Sequence, residues 1–279
     1  MGDLNLSRRR GSVGRARRHL VGTPGRDVIS AGAGKDRILA MGGDDVVCAG
    51  PGHDSVRGGP GDDHVRLGPG SDRAFGEDGS DRIRGLDGDD QLRGNKGNDT
   101  ISGGRSSDSV DDGAGADVVN LGPGGDFVSR DAGADVIRGG AGGDFLADGA
   151  GGDVVRGQDG NDTLELDQGN DDLSGGEGND TVLGLHGFGV AVVIDLTAGE
   201  AQGSLVGLDT IALFERAELD DTLIGDSADN VLIGAEGDDH IEGRDGDDEL
   251  DGREGLDLLD GGPGTDECLN GETVLNCEA

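Results

Sequence analysis

From residue 22 to residue 183 one apolar position recurs every nine residues, from Ile29, Ile38 and Val47 through to Val182, with Ala74 the smallest. Two residues before each lies an aspartate, and before that a glycine-rich stretch. Written out, the phrase is Gly-Gly-x-Gly-x-Asp-x-U-x, where U is apolar. Gly58-Gly59-Pro60-Gly61-Asp62-Asp63-His64-Val65-Arg66 is a clean copy, and so is Gly175-Gly176-Glu177-Gly178-Asn179-Asp180-Thr181-Val182-Leu183. The phrase runs through 18 copies without a gap; position six is Asp in all 18, and position four is Gly in 17, Ser106 being the exception. Self-similarity at a fixed period over this length is the signature of a repeat architecture.

The phrase has a physical reading. Glycines at positions one, two and four allow backbone conformations closed to other residues, so the first half reads as a turn. All six prolines (Pro24, Pro51, Pro60, Pro69, Pro123, Pro263) fall at position three, and none in the second half, where a strand needs its N–H. Positions seven to nine read as a short strand with only position eight pointing inward. One copy is half a coil. The expected fold is therefore all-β: a parallel β-roll or β-helix solenoid with two phrases, about 18 residues, per coil, interrupted by a short β insert. Residues i and i+18 stack at the strand spacing of roughly 4.8 Å, which lines the aspartates into two ladders, one along each edge.

Stacked carboxylates repel one another unless a cation lies between them. Hard cations take oxygen ligands, and a turn offers both carboxylate and backbone carbonyl oxygens; calcium suits this better than magnesium because it accepts more ligands in a looser geometry. On these residues the chain resembles the RTX, or hemolysin-type, calcium-binding repeats. The resemblance implies calcium ions between successive turns, each held by the position-six aspartates of two stacked copies and by turn carbonyls. The implied ligands are Asp27, Asp45, Asp63, Asp81, Asp99, Asp117, Asp135, Asp153 and Asp171 on one edge. On the other they are Asp36, Asp54, Asp72, Asp90, Asp108, Asp126, Asp144, Asp162 and Asp180, and a second array adds Asp221, Asp239, Asp248, Asp257 and Asp266. Asn230 takes the place of an aspartate there, keeping a carbonyl oxygen but losing the charge.

The remaining segments differ. Residues 1–21 hold Arg8, Arg9, Arg10, Arg15, Arg17 and Arg18 against a single acid, Asp3. Ser7-Arg8-Arg9-Arg10 is similar to a twin-arginine export signal, but no apolar region follows, so the segment reads as a disordered basic arm or a misassigned start. The first array spans 22–183. Residues 184–215 break the register: Val190 to Leu196 and Leu208 to Phe214 read as strands of a β-rich splice, with His186 a loop residue beside it. The second array spans 216–269, and 270–279 form a C-terminal cap. Cys268 falls at an inward position, and Cys277, nine residues on, at the next one; a disulfide there would staple the end and imply an oxidising compartment, provided the last coil tapers. Cys48 is outward and unpaired by the same count.

Composition narrows the function. The formal charge of −36 over 279 residues, with 60 glycines and no Trp or Tyr, describes a chain that stays extended without help. Nine aspartates per edge make eight inter-turn sites, so about 18–20 calcium ions in all would come close to cancelling that charge. No run is long and apolar enough to span a membrane, and the acidic body would repel nucleic acid. The five histidines show no metal-ligand spacing and no Gly-x-Ser-x-Gly elbow occurs, which argues against an enzyme. The expectation is a secreted, extracellular calcium-binding module of structural or interaction role that folds on binding many ions. An accessory module of a secreted hydrolase or toxin, and an adhesin-like solenoid, are the alternatives. The ice-binding variant of the family presents Thr at position three; here the first array has none. Phe127 and Phe145, both at outward position seven, read either as cross-strand packing that stiffens the sheet or as a face for self-association or a protein partner.

Overall fold

The computed structural model describes residues 17–129, 131–166, 172–178, 180–185, 193–195, 209–214, 222–225 and 229–277. Among these the chain is all-β and parallel, with no helix. It divides into two units, residues 1–140 with 148–154, and residues 141–147 with 155–279.

In the first unit, strands alternate between two parallel sheets, and each strand pairs with its equivalent two phrases on. Val28 pairs with Val46, which pairs with His64, which pairs with Arg82. On the other sheet Arg37 pairs with Ser55, and Ser55 with Arg73. The strand middles form two inward columns: Ile29, Val47, Val65, Ile83, Ile101 and Val119 on one sheet, and Ile38, Val56, Ala74, Leu92, Val110 and Val128 on the other, all buried. Each coil thus contributes two strand-middle side chains to a narrow core, and burying a large one of these is worth about 1.5–3 kcal/mol.

The first half of the phrase is less of a turn than the sequence suggests. From His64–Pro69 onward most strands run through positions seven to nine and on into one to three of the next copy. Pro69 and Pro123 each end a strand, where a carbonyl is needed but an N–H is not. Position one is a second inward position, both within these longer strands and just after the three-residue strands that precede them. Ala31, Ala40, Ala49, Leu67 and Leu121 occupy it and are at most 1% exposed. The expectation that position eight alone faces inward is corrected on this point.

The first rung also starts earlier than the phrase. His19–Val21 pairs with Arg37–Leu39, so Arg18 takes the place an aspartate holds elsewhere and its N–H donates to Asp36. Residues 1–16 of the expected arm lie outside the described residues.

The second unit keeps the same register from Phe145 to Thr163 to Thr181, then lengthens. Thr181 pairs with Thr210 and Val193 with Thr222, steps well beyond the usual coil. Thr210 then pairs with Val231, a step only slightly longer than usual. The two expected strands of the splice, observed at Val193–Asp195 and Asp209–Phe214, are therefore rungs of the solenoid itself. His186 lies outside the described residues. The regular step resumes from Thr222 to His240 to Leu258.

The last coil is short: Leu258 pairs with Thr273, a smaller step than the one that precedes it. Cys268 and Cys277 are disulfide-bonded with Cα atoms 5.9 Å apart. The taper that brings them together also shifts the register, so Val274, not Cys277, pairs with Leu259, and at this last rung it is exposed. Cys48 is exposed and free, as its outward position required.

Candidate metal centre

Position six precedes each strand, at the corner between the two sheets. There the aspartates form the two ladders the repeat requires. The backbone N–H of each donates to Oδ1 of the aspartate one coil on: Asp27 to Asp45 at 2.6 Å, Asp45 to Asp63 at 2.8 Å, Asp99 to Asp117 at 2.6 Å. On the other edge Asp36 donates to Asp54 at 2.7 Å and Asp72 to Asp90 at 2.8 Å. In the second unit Asp144 donates to Asp162, Asp162 to Asp180, Asn230 to Asp248, Asp239 to Asp257, and Asp248 to Asp266. Asp126, Asp135 and Asp153 are ladder acceptors in the same way. Asp171 and Asp221 lie outside the described residues.

One oxygen of each carboxylate is thereby used. The other is buried with no hydrogen-bond partner: Oδ2 of Asp45, Asp63, Asp81, Asp99, Asp117 and Asp135 on one edge, and of Asp36, Asp54, Asp72, Asp90 and Asp108 on the other. These aspartates are at most 3% exposed. A buried acceptor without a donor costs about 1–3 kcal/mol, more if it is charged. What faces it deepens the conflict. Oδ2 of Asp63 and the carbonyl oxygen of Gly76 both lie within 2.8 Å of the point a Cβ on Gly58 would fill. Oδ2 of Asp81 and the carbonyl oxygen of Gly94 share the space over Gly76 in the same way. Two acceptors turned toward one cradle, with no hydrogen between them, suit a hard cation, and the mix of carboxylate and carbonyl oxygens suits calcium. The glycine at position one keeps that cradle open.

The electrostatics agree. Burial pushes the carboxyls of Asp63, Asp72, Asp81 and Asp108 up from 3.8 to about 7; neighbouring aspartates add to this, and the ladder N–H groups oppose it. Asp45, Asp90, Asp117 and Asp135 rise to about 6 for the same first reason. Without a cation, Asp63, Asp72, Asp81 and Asp108 are therefore only about half ionised at neutral pH.

Four features were not legible in the repeat. Asp27 differs from its neighbours because its Oδ2 accepts hydrogen bonds from Thr23, from the N–H and from Oγ1 at 3.0 Å, so the protein supplies donors at the first rung. At the far end, the N–H of Asp257 donates to Glu272 at 2.8 Å; the shortened coil puts a glutamate where the phrase has aspartate. A second ladder runs beside the first at position five, in the opposite sense. Asp44 accepts from the N–H of Asp62, Asp62 from Ser80, Ser80 from Asn98 and Asn98 from Ala116. The fourth is Asp112, at inward position one.

Ten segments of the chain, several of them overlapping, match the profile of the RTX calcium-binding nonapeptide repeat: residues 21–56, 42–74, 57–92, 67–101, 75–110, 93–128, 131–146, 147–182, 218–250 and 233–268. Among solved structures the chain is similar to a hyperactive, Ca2+-dependent, β-helical antifreeze protein from an Antarctic bacterium. The TM-score is 0.56 at 18% identity, over 85% of this chain and 84% of that one, a likeness of fold. No curated protein matches the chain.

Proposed function

Since the chain belongs to the RTX calcium-binding nonapeptide-repeat family, we propose that it is a secreted module whose folding is switched on by calcium. The observation that carries this reading is the row of buried, donor-less Oδ2 atoms facing backbone carbonyls between coils. The position-six aspartates are the ligands, with Asp27 the weakest of its edge because Thr23 already serves it. Calcium supplies the positive charge that lets adjacent coils stack. The chain's own residues hold the geometry: the ladder N–H groups fix Oδ1, the position-one glycines leave room, and the inward columns set the coil spacing.

The switch follows from compartment chemistry. Cytosolic calcium is too scarce to fill weak sites, whereas extracellular modules typically bind at about 10⁻⁴ to 10⁻³ M. The chain stays extended inside the cell and folds outside, where binding free energy becomes folding free energy. The Cys268–Cys277 bridge favours the same oxidising location. Its role there is structural or adhesive, not catalytic, and Phe127, 44% exposed, belongs to the face through which it meets a second copy or a partner.

Far-ultraviolet circular dichroism of the full chain decides the matter. The expected result is a disordered spectrum in EDTA and cooperative gain of β signal near millimolar calcium, with magnesium at the same concentration ineffective. Identical spectra with and without EDTA overturn the reading.

A further inference from the structure

Asp112 stands at position one, where most other copies carry Gly, as at Gly76 and Gly94, or a small or apolar residue, as at Ala40 and Leu121; Arg130 and Asp148 are the other two charged residues at this position of the first array. Position one faces inward, and Asp112 is 2% exposed. A carboxylate in a core column is costly unless something offsets its charge. What it meets there is more negative charge. One carboxylate oxygen from each of Asp112, Asp117 and Asp135 lies within 4.8 Å of the others.

Their hydrogen bonds leave that convergence unresolved. The N–H of Asp99 donates to Oδ1 of Asp117 at 2.6 Å, and that of Asp117 to Oδ1 of Asp135 at 2.7 Å. Oδ1 of Asp112 accepts from the N–H of Gly113 at 3.2 Å, a bond that Gly113 shares with Oδ2 of Asp131 at the same distance. Oδ2 of Asp112, Asp117 and Asp135 is in each case buried and has no donor. Among the described residues no lysine or arginine pairs with any of the three, and nearby Arg93 is engaged by Asp111 at 3.2 Å.

We infer that Asp112, Asp117 and Asp135 form a calcium site of their own kind, holding the ion more tightly than the ordinary rungs and filling first. The inference rests on the calcium reading of the ladders. An ordinary rung offers aspartates from position six alone; here a third carboxylate enters from the core side, and the affinity of oxygen-ligand sites rises with ligand charge. A first ion held here would fix the coils on either side of the 112–117 corner before the other sites fill, giving the roll a defined place to start.

The test is a calcium titration of the full chain against a chromophoric chelator, with circular dichroism on the same samples. For the natural sequence, one calcium per chain should bind about tenfold more tightly than the rest. Asp112→Gly, which restores the repeat phrase and so leaves nothing to stop folding, should lose that one ion's advantage and keep the others. Asp112→Asn, which preserves the shape and removes the charge, should do the same. The inference is overturned if the natural chain fills all its sites in a single class, or if Asp112→Gly keeps the tight ion or binds calcium more strongly, as a merely repaired repeat would. A natural chain that binds no calcium at all overturns the ladder reading as well, which the other outcomes leave standing.

Discussion

The backbone N–H of Asp63 donates to Oδ1 of Asp81 at 2.7 Å, while Oδ2 of Asp63 itself is buried without a donor. Asp63 is thus half satisfied by the coil before it, through the N–H of Asp45, and its other oxygen is left without a donor. Two consequences for pH follow. Burial raises the Asp63, Asp72 and Asp81 carboxyls from 3.8 to about 7 in the folded chain. A raised folded value means the metal-free fold holds protons that the unfolded chain releases. That contribution is fully present below about 3.8 and is lost as pH rises through about 7. In EDTA, acidification to about pH 4 should therefore recover β signal that is absent at neutral pH. With calcium the dependence reverses, because protons compete for the same oxygens, and the calcium midpoint should move to higher concentration as pH falls. A metal-free chain equally unfolded across this range, or a midpoint indifferent to pH, contradicts the half-satisfied ladder.

Ser106 sits at φ 79°, in the left-handed region, at the one copy of position four in the first array that lacks glycine. A side chain there costs about 1 kcal/mol. Ser106→Gly should raise the melting temperature of the calcium form by roughly 2–4 °C, given the length of the chain. Ser106→Val should lower it. A lower melting temperature for the glycine variant would mean that the hydroxyl contributes more than the backbone strain removes.

Arg57 lies 5.2 Å above the ring of Phe75 and Arg93 lies 5.9 Å from it, one coil away on either side. All three stand at outward position nine, on successive coils of one sheet. Cation–π contact at exposed sites is worth about 0.5–1 kcal/mol. A double-mutant cycle of Arg57→Gln and Phe75→Leu, read by thermal melting in calcium, should show coupling of that size. Strict additivity would remove the contact from the account.

The Cys268–Cys277 bridge closes the shortened last coil. Alkylation without reductant followed by intact-mass analysis should label Cys48 alone; three labels would mean the bridge does not form. The Cys268→Ser/Cys277→Ser variant should lose about 2–3 kcal/mol. The loss should concentrate in Thr273–Leu275, whose backbone amides should exchange faster while those of Val47 and Ile83 do not.

Phe127 is 44% exposed and Phe145 is half-buried. Sedimentation velocity in calcium over a hundredfold range of concentration should show self-association that Phe127→Ser/Phe145→Ser weakens, and that EDTA abolishes in both. A natural chain that remains monomeric throughout excludes association through either residue.

Much of this molecule is written in its period. A phrase of nine determines the coil, the parallel pairing, the columns headed by Ile29 and Ile38, and the stacking of Asp27 under Asp45, because a covalent repeat forces equivalent residues into equivalent places. The two strands of the splice were legible for the same reason: apolar β-branched runs need a sheet to join. What the period leaves open is anything that depends on the coil above or below. Only the stacked structure divides the work of each carboxylate between Oδ1, which takes a neighbour's N–H, and Oδ2, which has none. Only there does position one turn inward, burying Asp112 against Asp117 and Asp135. Only there does the shortened final step bring Glu272 to Asp257, Cys277 to Cys268 and Val274 into register with Leu259. A repeat specifies its own average; its departures acquire meaning from contacts made a whole coil away, and those contacts exist only once the coils are stacked.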